Sequence, residues 1–127
     1  MGKLAKYSIG VGDRFGHQGQ AQVRAVKALR EKGVTVVPVW NKSFREHGIV
    51  GSTPDDTRRA ADAAVKAEVW DAEYHVDADH IGLKNVDGFL RASDFFTLDV
   101  ADFIGQPAED TEIEAFVKRH DDLVGEL

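Results

Sequence analysis

Segments typical of β-strands and of α-helices alternate along the chain, and this alternation constrains the fold more than any other feature. Four short segments rich in β-branched and aromatic residues are each followed by a polar loop and a segment with helical periodicity. Repeated units of this kind connect parallel strands through right-handed helical crossovers. The sequence therefore predicts an α/β fold with all strands parallel. The predicted strands span 6–12, 34–40, 73–78 and 95–101.

The helices carry separate start and stop signals. The first is predicted to end at Gly33, and the second to begin with Thr53 as N-cap and Pro54 at the first helical position. A weak helix is predicted over 83–93, and an amphipathic helix after 107. The residues expected to face the core are Val23, Val26 and Leu29 of the first helix and Ile113, Phe116 and Val117 of the last.

The composition excludes several classes of function. The net charge of −6 argues against a nucleic-acid or anionic-membrane surface, and no apolar run is long enough to cross a bilayer. The chain contains no cysteine, which excludes disulfides and thiolate metal sites and fits the reducing cytoplasm. We therefore expect a cytoplasmic protein that binds neither nucleic acid nor membranes.

Clusters of polar residues follow the strands, whereas the loops that precede the strands contain no comparable cluster. Active sites of parallel α/β folds gather at the carboxyl ends of the strands. The loop after the first strand offers Asp13, Arg14, His17 and Gln18. It does not match a dinucleotide fingerprint, because Phe15 stands where the third glycine belongs.

The stretch after the second strand, predicted to be a polar loop over 41–51, suits an anionic, hydroxylated ligand. Arg45 can hold a carboxylate in bidentate fashion, and Lys42 can act as a point charge. A solvated loop is the ordinary alternative for such a stretch. The candidate ligand-binding residues here are Asn41, Lys42, Arg45 and His47.

The segment HVDADHI, from His75 to Ile81, carries the strongest chemical signal. Its alternation places His75, Asp77 and Asp79 on one side of the strand, and His80 begins the following loop. Neutral imidazole is a common ligand of divalent transition metals, and carboxylates complete such sites or act as bases beside them. After the fourth strand, Asp99 is expected to line the same pocket, whereas Asp102 is expected to cap a turn.

Four stretches closely resemble the N-terminal half of the tagaturonate/fructuronate epimerases of bacterial hexuronate catabolism. These are YSIGVGDRFGHQGQAQ, PVWNKSFREHGIVGSTPDDTR, VDADHI and SDFFTLDVADFIG, in order from about residue 7 to 105. The resemblance implies a TIM-type barrel, a divalent metal of unspecified identity (Zn, Mn, Ni or Fe) and a keto sugar acid as substrate. The family chains are several times longer, so residues 1–127 are expected to form one domain, the first four β–α units of a truncated barrel. An isolated half-barrel exposes two strand edges and is expected to self-associate.

The resemblance and the residues together suggest roles. Simple α-proton abstraction cannot invert a hydroxyl-bearing carbon β to a ketone, whereas retro-aldol cleavage and re-addition can, with a base to move the hydroxyl proton. Asp79 is the candidate base, with Asp77 an open alternative, and His80 is the candidate metal ligand. The candidate substrate-binding residues are Asp13, Arg14, Gln18, Asn41, Lys42, Arg45, His47 and Asp99. A non-catalytic barrel remnant and another metal-dependent sugar aldolase or isomerase remain open.

Overall fold

The chain forms a four-stranded, all-parallel sheet with strand order β1-β2-β3-β4. This is a computed structural model that describes residues 4–123 and 125. The strands are β1 (Ser8–Gly12), β2 (Val37–Ser43), β3 (His75–Ile81) and β4 (Phe95–Leu98), and the helices are α1 (Gly19–Glu31), α2 (Phe44–Val50), α3 (Pro54–Ala67) and α4 (Asp110–Arg119). The predicted α/β fold with adjacent parallel strands is confirmed.

The main core lies between helices α1 and α3 and one face of the sheet. Val23 and Val26 of α1 meet Ala61 and Ala64 of α3 over Trp40 of β2. A second, smaller cluster joins Ala78 and Ile81 of β3 to Phe89. Strand residues on the opposite face of the sheet line a pocket.

Two helix boundaries follow their sequence signals. Thr53 caps α3, since its hydroxyl accepts a hydrogen bond from Asp56 N while the Asp56 carboxylate accepts one from Thr53 N, and Pro54 begins the helix. Gly33 follows α1 with a φ of 82°, a conformation that favours glycine. Leu29, however, is 39% exposed, so only Val23 and Val26 of the predicted α1 face are buried.

The second strand begins and ends three residues later than predicted, and the predicted loop over 41–51 is wrong. Asn41, Lys42 and Ser43 belong to β2, and α2 follows directly. The sequence does not reveal this arrangement, because the polar residues at the end of β2 and in the Ser43–Glu46 capping box are of the same types as those of a solvated loop. Pro38 is tolerated as the second residue of β2, near the strand end as expected.

Three further predictions needed correction. The third strand extends to Ile81, so His80 lies in the strand, and the predicted helix over 83–93 is a short 3-10 turn at Val86–Gly88. The last helix exists, but its predicted inward face is not packed. Ile113 is 49% exposed, Phe116 62% and Val117 45%.

Candidate functional site

A pocket of about 230 Å³ lies on the face of the sheet opposite the main core, and we call it the strand-face pocket. Every residue lining it belongs to a strand, and each of the four strands contributes two. They are Ser8, Gly10, Val39, Asn41, Asp77, Asp79, Phe95 and Thr97. Because residues two apart on a strand share a face, the alternation of the sequence places these polar groups together. Asn41 lies directly opposite Asp77 in the β2–β3 register, and Ser43 lies opposite Asp79.

Asp77 is the most buried acid of this pocket, with 5% of its surface exposed. Thr97 Oγ1 donates a 2.7 Å hydrogen bond to its Oδ2 atom. Burial raises the pKa of Asp77; the Thr97 hydrogen bond acts to lower it, and the nearby Asp79 carboxylate adds to the rise. A buried carboxylate of raised pKa beside a second carboxylate is an arrangement found at acid–base sites.

A second pocket, of about 350 Å³, adjoins the carboxyl ends of β2 and β3 and is called the edge pocket. Ser43, Phe44, Arg45, His80, Asn85 and Asp99 line it. The strand-face pocket includes Asp79 and the edge pocket includes its neighbour His80, so β3 supplies a titratable group to each. Consecutive residues near the end of this strand therefore line the two pockets.

A β-bulge orients His80. The β3–β4 register shifts between Ala78 and Ile81, and His80 has a φ of 54°, in the left-handed region. Bulges of this kind re-aim a side chain and recur beside active sites. The imidazole is 66% exposed, with Nε2 3.9 Å from Asp79 Oδ1 and Nδ1 3.8 Å from Asp99 Oδ2. The bulge thus places one imidazole between two carboxylates.

The donor set around His80 is suitable for a divalent cation but does not complete a site. Imidazole nitrogen and carboxylate oxygen are ordinary ligands of such ions. The two ring nitrogens face different carboxylates, however, so the three groups do not converge on one point. Among residues 4–123 and 125, no group of three or more His, Cys, Asp or Glu side chains is arranged to hold a metal ion. His80 fits as one ligand of a site that needs further donors.

The predicted site residues of the first loop are engaged in local structure. The Asp13 carboxylate accepts hydrogen bonds from His17 N at 3.1 Å and Gln18 N at 2.6 Å, which anchors the start of α1. Arg14 forms a 3.3 Å ion pair with Glu46. Asp13, Arg14 and Gln18 therefore fix the loop at the carboxyl edge of the sheet. Asp13 also lines a separate pocket with His17 and Lys42, and none of the three lines the strand-face or edge pocket.

Lys42 and His47 lie on the side of the sheet that packs against helices. Lys42 is 5% exposed, its Nζ donates a 2.6 Å hydrogen bond to the Arg14 carbonyl, and it lines a separate pocket with Trp40. His47 Nδ1 lies 2.9 Å from Ser52 Oγ. Burial of the imidazole lowers the pKa of His47, and the Lys42 ammonium lowers it further. The structure thus separates these two residues from Asn41, Asp79, Asp99 and Arg45.

The Ser43–Glu46 capping box sets the junction of β2 and α2. Glu46 N donates to Ser43 Oγ, and Ser43 N donates to Glu46 Oε2. Partial burial acts to raise the pKa of Glu46, but the hydrogen bonds from Ser43 and from Arg14 outweigh it and hold that pKa below its ordinary 4.5. The ionised carboxylate therefore stabilises the fold above pH 4.5, and this contribution is lost as the pH falls through the lowered pKa.

Replacing Glu46 by glutamine is expected to cost about 0.3–1 kcal/mol of unfolding free energy near neutral pH, because the negative charge at the start of α2 and its ion pair with Arg14 are lost while the amide can still cap the helix. The difference from the unchanged protein should shrink as the pH falls below 4.5 toward the lowered pKa, since both proteins then carry a neutral side chain there. Urea unfolding across this pH range measures the effect, with Glu114→Gln on the exposed face of α4 as control. A deficit that stays constant with pH would contradict the assigned role.

Two residues of the strand-face pocket, Thr97 and Ser8, were not anticipated from the sequence. The parity argument places Asp77 beside Asp79, as the alternative candidate for the base. If the pairing register of the strands were known, the same alternation of side chains along β4 and β1 would place both hydroxyls in this pocket. Register is set by long-range pairing, and no local sequence signal states it.

None of the helices in the described part of the chain is long and apolar enough to span a membrane.

The fold is similar to crystal structures of the fructuronate-tagaturonate epimerase UxaE from Cohnella laeviribosi. The native structure aligns with a TM-score of 0.68 at 28% sequence identity, over 94% of this chain and 24% of that chain. A structure with one glycerol bound gives 0.68 at 27% identity, over 88% and 23% of the two chains. One with two glycerols gives 0.66 at 27% identity, over 94% and 24%.

The chain thus spans about a quarter of the length of these structures. No curated protein sequence matches it. A model of the tagaturonate epimerase family, UxaE, matches residues 2–126, and the chain therefore belongs to this family.

Proposed function

We propose that this chain supplies the first four β–α units of a TIM-type barrel enzyme, a metal-dependent epimerase that interconverts D-tagaturonate and D-fructuronate in the cytoplasm. One observation carries the proposal: Asp79 and His80, adjacent in β3, line two polar pockets, the strand-face pocket and the edge pocket. The order of the four parallel strands is that of consecutive barrel strands. The chain's share of its relatives' length supports a fragment that needs further β–α units.

The charges of the edge pocket support a keto sugar acid as the substrate. A keto sugar acid presents one carboxylate and several hydroxyls. Arg45 is exposed in this pocket and can hold the carboxylate with a pair of parallel hydrogen bonds. Asn41 and Asp99 offer acceptors for the hydroxyls. In this proposal the other candidate residues shape the surrounding structure and do not contact the reacting carbons. They are Asp13, Arg14, Gln18, Lys42 and His47.

The reaction must invert a carbon whose hydrogen is not acidic, because that carbon is β to the ketone. The Asp79 carboxylate takes the proton of the hydroxyl on this carbon, and the bond between it and the neighbouring α carbon breaks. The electron pair of that bond forms an enediolate, and the β carbon becomes an aldehyde. The aldehyde then rotates and presents its other face to the enediolate. The carbon–carbon bond re-forms on that face, and Asp79 returns the proton to the new hydroxyl. No atom or electron is gained or lost in the reaction.

His80 would hold the metal together with donors from outside the described residues. When bound, a divalent cation supplies electrostatic stabilisation for the negative charge that develops on the ketone oxygen. Asp77 is the alternative base, since it faces the same pocket. Its burial and its hydrogen bond from Thr97 favour a fixed role over a proton-transferring one.

Arg45→Ala tests the substrate assignment in protein made from the complete gene. We expect the KM for D-tagaturonate to rise about 10- to 100-fold with a smaller change in kcat, because a charge-assisted pair of hydrogen bonds is lost. Arg91→Ala, an exposed arginine outside both pockets, is the control. An unchanged KM would remove Arg45 from the site. Absence of epimerisation in the unaltered protein would instead favour a barrel remnant, or an aldolase or isomerase acting on another sugar.

A further inference from the structure

Two buried oxygen atoms of the strand-face pocket lack a hydrogen-bond donor among the described residues. They are Asn41 Oδ1 and Asp77 Oδ1. Thr97 satisfies only the other oxygen of Asp77, at 2.7 Å. Buried acceptors are nearly always paired in folded proteins, so two unpaired ones in a single pocket require an explanation.

The two acceptors lie side by side. Asn41 and Asp77 are direct partners in the parallel β2–β3 register, and both line the strand-face pocket. Asp79 lies two residues further along the same face of β3, in the same pocket. An occupant that satisfies the pair would therefore lie beside the proposed base.

The chemistry of the pair selects a donor. An amide oxygen and a carboxylate oxygen both accept hydrogen bonds, and neither donates one. Two neighbouring hydroxyl groups suit such a pair, because each hydroxyl has one proton and can donate it to one of the two acceptors. A second carboxylate would be repelled by Asp77 and Asp79.

We propose that Asn41 and Asp77 form a hydroxyl-recognition pair, in which each residue accepts a hydrogen bond from one of two hydroxyls of the sugar chain beside the hydroxyl that Asp79 deprotonates. The inference rests on the proposed function and deepens it. It makes Asp77 a substrate-positioning residue held by Thr97, and it assigns the base role to Asp79 alone. The pair would fix which hydroxyl reaches Asp79, and so which carbon is inverted.

The test is an equilibrium measurement that does not need turnover. Isothermal calorimetry on protein from the complete gene compares D-altronate, the alcohol formed by reducing the ketone of D-tagaturonate, with altronates that lack one hydroxyl each. We expect two of these deoxy probes to bind about 5- to 100-fold more weakly than D-altronate, because each has lost a hydrogen bond to one of the two acceptors. Asn41→Ala and Asp77→Ala should each weaken D-altronate by a similar factor, and each should leave the affinity of one of these two deoxy probes unchanged.

Asp77→Asn separates recognition from catalysis, because the amide keeps one acceptor oxygen. It should bind D-altronate within about tenfold of the unaltered protein and retain measurable kcat. Loss of kcat as complete as in Asp79→Asn would overturn the proposal and make Asp77 the base. Equal weakening of every probe by Asp77→Ala, or no binding of D-altronate to the unaltered protein, would also overturn it. Hydroxyl-selective binding without epimerisation would support the pair and refute only the proposed reaction.

Discussion

Replacing Asp79 by asparagine is expected to lower the kcat for epimerisation by about 10²- to 10⁴-fold, the usual contribution of a positioned general base. The amide keeps the size of the side chain but cannot accept the hydroxyl proton at neutral pH. Asp79 lines the strand-face pocket and keeps its place at the end of β3, so substrate binding should change little. Steady-state kinetics on protein from the complete gene measures kcat and KM separately.

His80→Ala should give the same loss of activity by another route. Removing a ligand acts through metal binding, so elemental analysis should find most of the divalent metal gone from this variant and retained in Asp79→Asn. The 127-residue chain alone should bind metal weakly, because the groups around His80 do not converge.

The matched controls are Asp87→Asn, in the exposed 3-10 turn, and His120→Ala, at the end of α4. Neither residue reaches the strand-face or edge pocket, so both variants should keep full activity and metal. An Asp79→Asn protein with unaltered kcat would remove this residue as the base. Tight metal binding by the short chain would show that the site is completed within it or by a second copy.

The alternation of strand-like and helix-like segments is enough to predict a parallel sheet, because β-branched apolar runs and helix caps are local signals. The apolar run from Val34 to Trp40 indicates a strand, and β2 begins and ends three residues later. The cap at Thr53 indicates the start of α3 at the observed residue. The alternation of side chains along a strand places Asp77 and Asp79 on one side of β3, where both line a single pocket. Residues two apart on one strand need no knowledge of the rest of the fold.

The missed features depend on distant parts of the chain. Lys42 is charged but buried, because it extends along the helix side of β2 to reach the Arg14 carbonyl, 28 residues away. Its neighbour Asn41 faces the opposite pocket, so a polar stretch that resembled one loop is divided between two sides of the sheet. The bulge at His80 depends on pairing with β4, which the local sequence does not encode.

Phe89→Ala is expected to destabilise the fold by about 3–5 kcal/mol, the range for removing a buried aromatic side chain. Phe89 is 2% exposed and packs on Ala78 and Ile81, directly behind the end of β3 that bears Asp79 and His80. The lost ring leaves a cavity under that strand end. Hydrogen exchange should therefore quicken at the amides of Ala78 and Ile81.

Leu90→Ala is the matched control, since Leu90 is the next residue and is 59% exposed. It should change the free energy of unfolding by no more than about 0.5 kcal/mol. Urea unfolding of the three proteins measures the difference between the two variants. Equal effects of the two substitutions would mean that Phe89 does not support β3. The expected difference would instead tie the position of the proposed base and metal ligand to a packed aromatic ring that takes no part in the chemistry.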